Sequence, residues 1–224
     1  MMKVTIILLA LSLLFLMAYL HYIYRNPSPE CAYDVKDYPV LNDLRNHWKD
    51  IATEAKSISR KNSSKRPQSV WVHDNEGITD FMNKHITDNT EWILAWDHGS
   101  KWWNYPLVFN DVVVPGETRK LCPKTVSLLE RIKGIKIAGF SRLDKGGNIH
   151  PHTDYHGKKK ALAYHLGLVG VDSELTACGG KVFNQDPGVH FIFDSEMEHS
   201  ANNGGNQDRI LLYILFSKED IGAA

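Results

Sequence analysis

From Val4 to Leu20 the chain reads VTIILLALSLLFLMAYL, an apolar run without a charge and close to the roughly 20 residues a helix needs to cross a bilayer's hydrocarbon core. Tyr22 and Tyr24 follow where an interfacial aromatic belt would lie. With no A-x-A site after the run and only Lys3 before it, the segment reads as an uncleaved single-pass anchor over residues 1–24 rather than a signal peptide. Pro27, Pro29 and Pro39 then mark a linker over 25–40, and the remaining span, 41–224, is expected to be one domain. Leu44, Trp48, Ile51, Ala55 and Ile58 recur at helical spacing, which predicts a helix from about Asn42 with one buried stripe. Pro123 opens a second helix with Val126, Leu129 and Ile132 inside and Gly134 past its end. Beyond Gly134 the pattern changes to short β-rich runs: 135–137, 162–169, 189–193 and 210–216, separated by Gly, Asn and Asp turns. Such runs predict an antiparallel barrel or jelly roll. The expected fold is therefore mainly β with flanking helices, behind a transmembrane helix.

Composition narrows this little. With 43% hydrophobic and 23% charged residues in a chain of 224, one sizeable core is possible and nothing suggests disorder. Lys plus Arg equals Asp plus Glu at 26 each, so no net positive field draws nucleic acid. The charges flanking the apolar run are too mixed to set the side of the membrane. Cys31, Cys122 and Cys178 are too few for a disulfide framework and contain no CxxC; one pair could form in an oxidising compartment. The basic stretch 59–67 reads as a solvated connection, and Asn62-Ser63-Ser64 is a glycosylation sequon of low specificity. Trp71, Trp92, Trp96, Trp102 and Trp103 read first as packing residues, with some able to line a substrate mouth.

The candidate chemistry lies in Asn148-Ile149-His150-Pro151-His152-Thr153-Asp154 and in Glu198-His199-Ser200. His152 and Asp154, two apart in an extended segment, project to one face. With a later His199 they have the spacing of a facial triad, in which two imidazoles and one carboxylate hold Fe(II) and leave adjacent positions open. A structural zinc site would normally use four protein ligands. His150, His156 and His190 are read as exposed or packing residues. An oxygen-activating iron needs a two-electron donor, commonly a 2-oxo acid whose far carboxylate is held by a buried cation; Arg209, just before the apolar run 210–216, is the candidate for a bidentate fork.

These residues sit within ordered blocks: Phe140-Ser141-Arg142-Leu143 with Gly146-Gly147, Ile149, Pro151-His152 and Asp154; then Tyr164-His165-Leu166-Gly167-Leu168; then Phe193-Asp194 with His199 and Asn203; then Arg209. The blocks, with Leu121-Cys122-Pro123-Lys124-Thr125 upstream, resemble the aspartyl/asparaginyl β-hydroxylase family of Fe(II)- and 2-oxoglutarate-dependent oxygenases. The resemblance covers roughly residues 90–217. It implies a double-stranded β-helix of the cupin-like, jelly-roll kind, with Fe(II) on His152, Asp154 and His199, and O2 and 2-oxoglutarate as co-substrates. Arg209 would bind the oxoglutarate C5 carboxylate, while His165 and Ser141 match positions that contact oxoglutarate. The implied activity is C–H hydroxylation, first at the β-carbon of peptidyl Asp or Asn. The peptide-hydroxylating branch has glycine in place of Asp154 and arginine in place of Ala163, whereas the lipid A hydroxylases of the same family keep H-x-D and a membrane segment; a lipid acyl chain is therefore the alternative substrate. A reading of another class is a non-catalytic metal-binding β-barrel that serves as an interaction module.

Overall fold

The computed structural model describes residues 30–60, 89–94, 99–154, 161–219 and 221, together with Ser12, Leu16 and Met17. The rest of the Val4–Leu20 run, the linker up to residue 29, residues 61–67 of the basic stretch, Trp71, Trp96 and His156 lie outside the described residues. Among those described, no helix is long and apolar enough to cross a membrane. The chain divides into two units, Met1–Glu30 and Cys31–Ala224, and the elements described below belong to the second.

In chain order this unit contains β1 (Ala32–Tyr33), α1 (Asn42–Asn46), α2 (Trp48–Ser57), β2 (Ile93–Leu94), β3 (Gly99–Phe109), β4 (Val112–Val113), α3 (Thr118–Leu121), α4 (Pro123–Leu129), β5 (Ile135–His152), β6 (Ala161–Val169), β7 (Ser173–Ala177), β8 (Lys181–Asn184), β9 (His190–Phe193), β10 (His199–Asn203) and β11 (Arg209–Ser217). One long strand, β5, organises the sheet. Its first half pairs antiparallel with β11, from Ile135↔Phe216 to Leu143↔Arg209, while its second half pairs with β10, from Asn148↔Asn202 to His152↔His199. Between the halves Gly146 has φ +65, a conformation that glycine adopts without a Cβ penalty. The resulting order, β1-β9-β6-β11-β5-β10-β7-β8, is a mainly antiparallel sheet that curls over itself at β5, as a jelly roll does.

Strand parity separates two apolar layers. Leu162, Tyr164, Leu166 and Leu168 of β6, with Ile210, Leu212, Ile214 and Phe216 of β11, join Leu44, Ile51, Ala55 and the helices in one core. The opposite parity, Ala161 and Ala163 of β6, Phe191 and Phe193 of β9 and Leu215 of β11, meets Leu175, Ala177 and Ala201 from the other half of the curl in a second. Function must be sought on that inner face, because the outer one is sealed by helices.

The predicted helices form with two adjustments. Leu44, Ile51, Ala55 and Ile58 of the first stripe are buried and Trp48 is half-buried, but the helix breaks at His47, whose ring Nδ1 lies 2.9 Å from the Asp43 carbonyl and competes with the backbone there. The second begins at Pro123, where the Glu54 carboxylate accepts from the Lys124 and Thr125 amides at 2.7 and 2.9 Å and complements the helix N-terminus. It ends at Leu129, yet Ile132 is still buried and Gly134 has φ +82. The stretch 31–40, expected to be linker, is part of the fold: β1 pairs with β9, Val40 packs against the core, and Cys31 forms a disulfide with Cys178. Cys122 stays free, its buried thiol pushed up to about 12 by desolvation, which makes it inert.

Candidate metal centre

The end of β5 meets the start of β10 at the pair His152↔His199. The two imidazole centroids are 4.2 Å apart. Asp154 lies past the end of β5, and its position comes from a backbone tie, its amide donating to the Ser195 carbonyl at 2.9 Å. Asp154 therefore reaches the histidines through this tie and not through the strand parity that its spacing from His152 predicts. The turn that supplies Ser195 is itself held by Asp194, whose side chain accepts from the Glu196 amide at 3.1 Å and whose carbonyl accepts from Met197 at 3.2 Å. That accounts for an Asp five residues before His199.

Each imidazole is tethered in the same way. His152 Nδ1 lies 2.7 Å from the His150 carbonyl and His199 Nδ1 3.0 Å from the Met197 carbonyl. A carbonyl only accepts, so both rings carry a proton on Nδ1 and turn Nε2 toward the site; such outer contacts orient metal-binding histidines. The two Nε2 atoms face one carboxylate, at 3.9 Å from Asp154 Oδ1 and 3.8 Å from Oδ2. All three ligand atoms lie within 4.8 Å of one another. Burial, above all, holds the His199 pKa below the usual imidazole value, with Asp154 opposing, so the ring is neutral at pH 7 as ligation requires. The donor set fits one divalent ion with open positions.

Behind this trio stands Arg209, fully buried, its Nη1 donating to the Ser141 carbonyl and hydroxyl at 3.3 and 3.1 Å. Its Nε is buried without a hydrogen-bond partner among the described residues. Desolvation pushes the guanidinium down to about 9. Taking a cation out of water costs several kcal/mol unless an anion compensates it, and among the described residues no carboxylate forms an ion pair with it. Ser141 Oγ also accepts from Trp102 Nε1 at 2.9 Å.

His165 lies on the same inner face, its ring 5.4 and 5.2 Å from those of Phe191 and Phe193, and Phe193 in turn is 5.3 Å from His199. Burial first, then Arg209 and His199, hold its pKa well below the ordinary value. The structure therefore brings together all six residues singled out in the sequence. His150 contributes only its carbonyl to the site, and half-buried His190 lies 3.3 Å from the Tyr164 hydroxyl on the outer face. Ala163 belongs to the inner apolar cluster. Two further residues touch the site, one of them among the tryptophans that could line a substrate mouth and one without a mark in the sequence. Trp102 reads there as packing, and its place opposite the Ser141 segment follows only from the pairing of β3 with β5. Gln185, whose side chain lies beside His165, carries no local signal at all.

Strand order and side-chain geometry define a mainly β, jelly-roll-like protein with a two-histidine, one-carboxylate group that could hold a metal ion. The chain belongs to the aspartyl/asparaginyl beta-hydroxylase family, whose sequence profile matches residues 45–219. Among curated proteins it is 28% identical over 195 residues to uncharacterized protein L888 of Acanthamoeba polyphaga mimivirus, covering 83% of this chain and 69% of that one. It is 31% identical over 103 residues to the ornithine lipid ester-linked acyl 2-hydroxylase of Rhizobium tropici, covering 44% of this chain and 36% of that protein. Solved structures with a similar course include a predicted oxalate decarboxylase of Thermotoga maritima (TM-score 0.39, 16% identity, 57% of this chain and 90% of that one) and the cupin domain of Schizosaccharomyces pombe Cnp3 (TM-score 0.36, 15% identity, 54% and 67%). At such scores they add nothing to what the strand order shows.

Proposed function

We propose that this chain is an Fe(II)- and 2-oxoglutarate-dependent dioxygenase that hydroxylates a C–H bond of an acyl chain. The observation that carries the oxygenase reading is the convergence of the His152, Asp154 and His199 ligand atoms within 4.8 Å. His152, His199 and Asp154 would hold the iron. An iron held there would supply O2 activation with the oxo acid as reductant, the balance being one oxygen atom to the substrate hydroxyl and one to succinate, with loss of CO2.

The remaining work falls to the chain's own side chains. Arg209 offers its guanidinium fork to the far carboxylate of the oxo acid, which explains a buried cation whose Nε lacks a partner among the described residues. Ser141 and His165 flank it as further polar contacts. Phe191, Phe193 and Ala163 give the inner face an apolar character, which keeps water from a reaction that must not lose its oxidising equivalents. The same lining favours an acyl chain over the charged side chain of a peptidyl aspartate, and so does the presence of Asp154. The acyl hydroxylase of R. tropici supports this choice. Hydroxylation of peptidyl Asp or Asn at the β-carbon is the second reading, favoured by the family itself. An N-terminal anchor over residues 1–24 would hold the domain at a membrane, where acyl substrates are found.

The test starts anaerobically. Fe(II) plus 2-oxoglutarate should give a weak visible charge-transfer band with the wild-type chain and none with His152→Ala or His199→Ala; a band that survives both substitutions would remove the metal assignment. A metal-binding module without catalysis would give no oxoglutarate turnover. Mass spectrometry for a gain of one oxygen, on acyl lipids against Asp- and Asn-containing peptides, separates the two substrates.

A further inference from the structure

His165 sits in a wall otherwise made of Ala161, Ala163, Phe191 and Phe193. A neutral imidazole there has one N–H and one lone pair, and which nitrogen carries the proton is decided by the partner of the other. Among the described residues that partner is Gln185, whose Nε2 lies 3.4 Å from His165 Nδ1. Gln185 is itself buried, and Ser173 holds both its backbone and its side chain: the Gln185 backbone N–H donates to the Ser173 carbonyl at 2.9 Å, and Ser173 Oγ donates to Gln185 Oε1 at 3.1 Å. With Oε1 engaged, the amide N–H2 is the end that faces the ring. The backbone brings Gln185 there because the turn after β8 passes directly over Gly167, where any Cβ would collide with the Gln185 and Asp186 carbonyls. Gly167 is two residues from His165 on the same face.

We infer that Gln185 is a positioning residue that fixes the tautomer of His165, and thereby makes its Nε2 an N–H donor toward the oxo acid. The inference rests on the reading of His165 as an oxo-acid contact. The chemistry is a matter of sign: an Nε2–H offers a carboxylate or keto oxygen a hydrogen bond, whereas an unprotonated Nε2 turns a lone pair toward it. Ser173 Oγ also lies 3.1 Å from the Asn202 carbonyl. If its single proton went there, the carboxamide would turn over, Oε1 would face the ring, and the proton would sit on Nδ1. The Nε2–H form therefore depends on the Ser173 proton staying directed at Gln185 Oε1.

Long-range 1H–15N correlation on the full chain, labelled with 15N-histidine and compared with His165→Asn for assignment, reads the tautomer directly. The expected result is Nε2–H in the wild type. Gln185→Glu, whose carboxylate accepts rather than donates, should move the ring to Nδ1–H and raise the KM for 2-oxoglutarate about tenfold with a smaller change in kcat. Gln185→Leu should raise KM without enforcing Nδ1–H. An Nδ1–H ring in the wild type overturns the inference, as does a Gln185→Glu chain with unchanged tautomer and KM. Should the variants fail to fold, the wild-type spectrum alone decides. A wild-type chain that shows Nε2–H but binds no 2-oxoglutarate would overturn the functional reading and the donor role with it, while upholding the hold of Gln185 on the tautomer.

Discussion

At the scale of single residues, the two candidate ligand histidines and Arg209 make opposite uses of burial. Each histidine is tied by Nδ1 to a carbonyl two residues earlier in its own segment, so the ring's direction is a local property and needs little from the rest of the fold. Arg209 is the reverse: its burial is imposed by the sheet, and its compensation must come from an anion. Arg209→Lys keeps the charge but loses the planar fork. Steady-state kinetics should show the KM for 2-oxoglutarate raised by at least about tenfold, with iron affinity little changed; an unaltered KM would move the carboxylate anchor elsewhere. These residues are legible in the sequence because metal and carboxylate chemistry admits few residue types and because the motif is short. Trp102 is legible only as one of several tryptophans able to line a substrate mouth, and Gln185 not at all, since both are chemically ordinary until tertiary structure sets them against Ser141 and His165.

At the scale of elements, apolar runs announce their strands and polar strands do not. The runs at 162–169 and 210–216 form β6 and β11 within a residue of their expected ends, because strands covered on both faces are apolar throughout. The strands β7, β8 and β10, with sequences SELTA, KVFN and HSANN, are short, and β10 carries polar residues because it delivers His199 and Asn203. Asn203 shows what such polarity is for. Its side-chain amide donates to the carbonyls of Leu143, Asp144 and Gln207, and its oxygen accepts from Gly205, which clamps the β10–β11 turn to the bend in β5 and sends Arg209 back beneath the site. A comparable dependence attaches to Gly167. Replacing it with Ala should displace the turn at Gln185 and Asp186 and cost about 3 kcal/mol or more. In a chain of this size thermal melting should show that as a fall of roughly 10 °C in Tm; a Tm close to that of the wild type would mean the turn is not held against β6 as described.

For the molecule as a whole, buried imidazoles make stability depend on pH. His165, His190 and His199 all have pKa values lowered chiefly by desolvation, whereas in the unfolded chain they take up protons near about pH 6.5. Below that value the unfolded state binds more protons than the folded one, so stability is complete above about pH 6.5 and falls as the pH drops through it. Melting curves between about pH 8 and pH 5 should show Tm declining only in the acid half of that range, and bound Fe(II) should oppose the decline. The disulfide between Cys31 and Cys178 closes a loop across a separation of 147 residues; the chain entropy removed by such a loop is worth about 5 kcal/mol, against roughly 2–4 for typical disulfides. Reduction, or Cys31→Ser, should lower Tm by roughly 10 °C. The bond also has a mechanical meaning. The two-residue strand β1 would peel readily from β9 if the chain upstream were pulled, but tension arriving at Cys31 passes through sulfur to the turn after β7, so a tug on the N-terminus loads a covalent bond and leaves the hydrogen bonds between β1 and β9 unstrained.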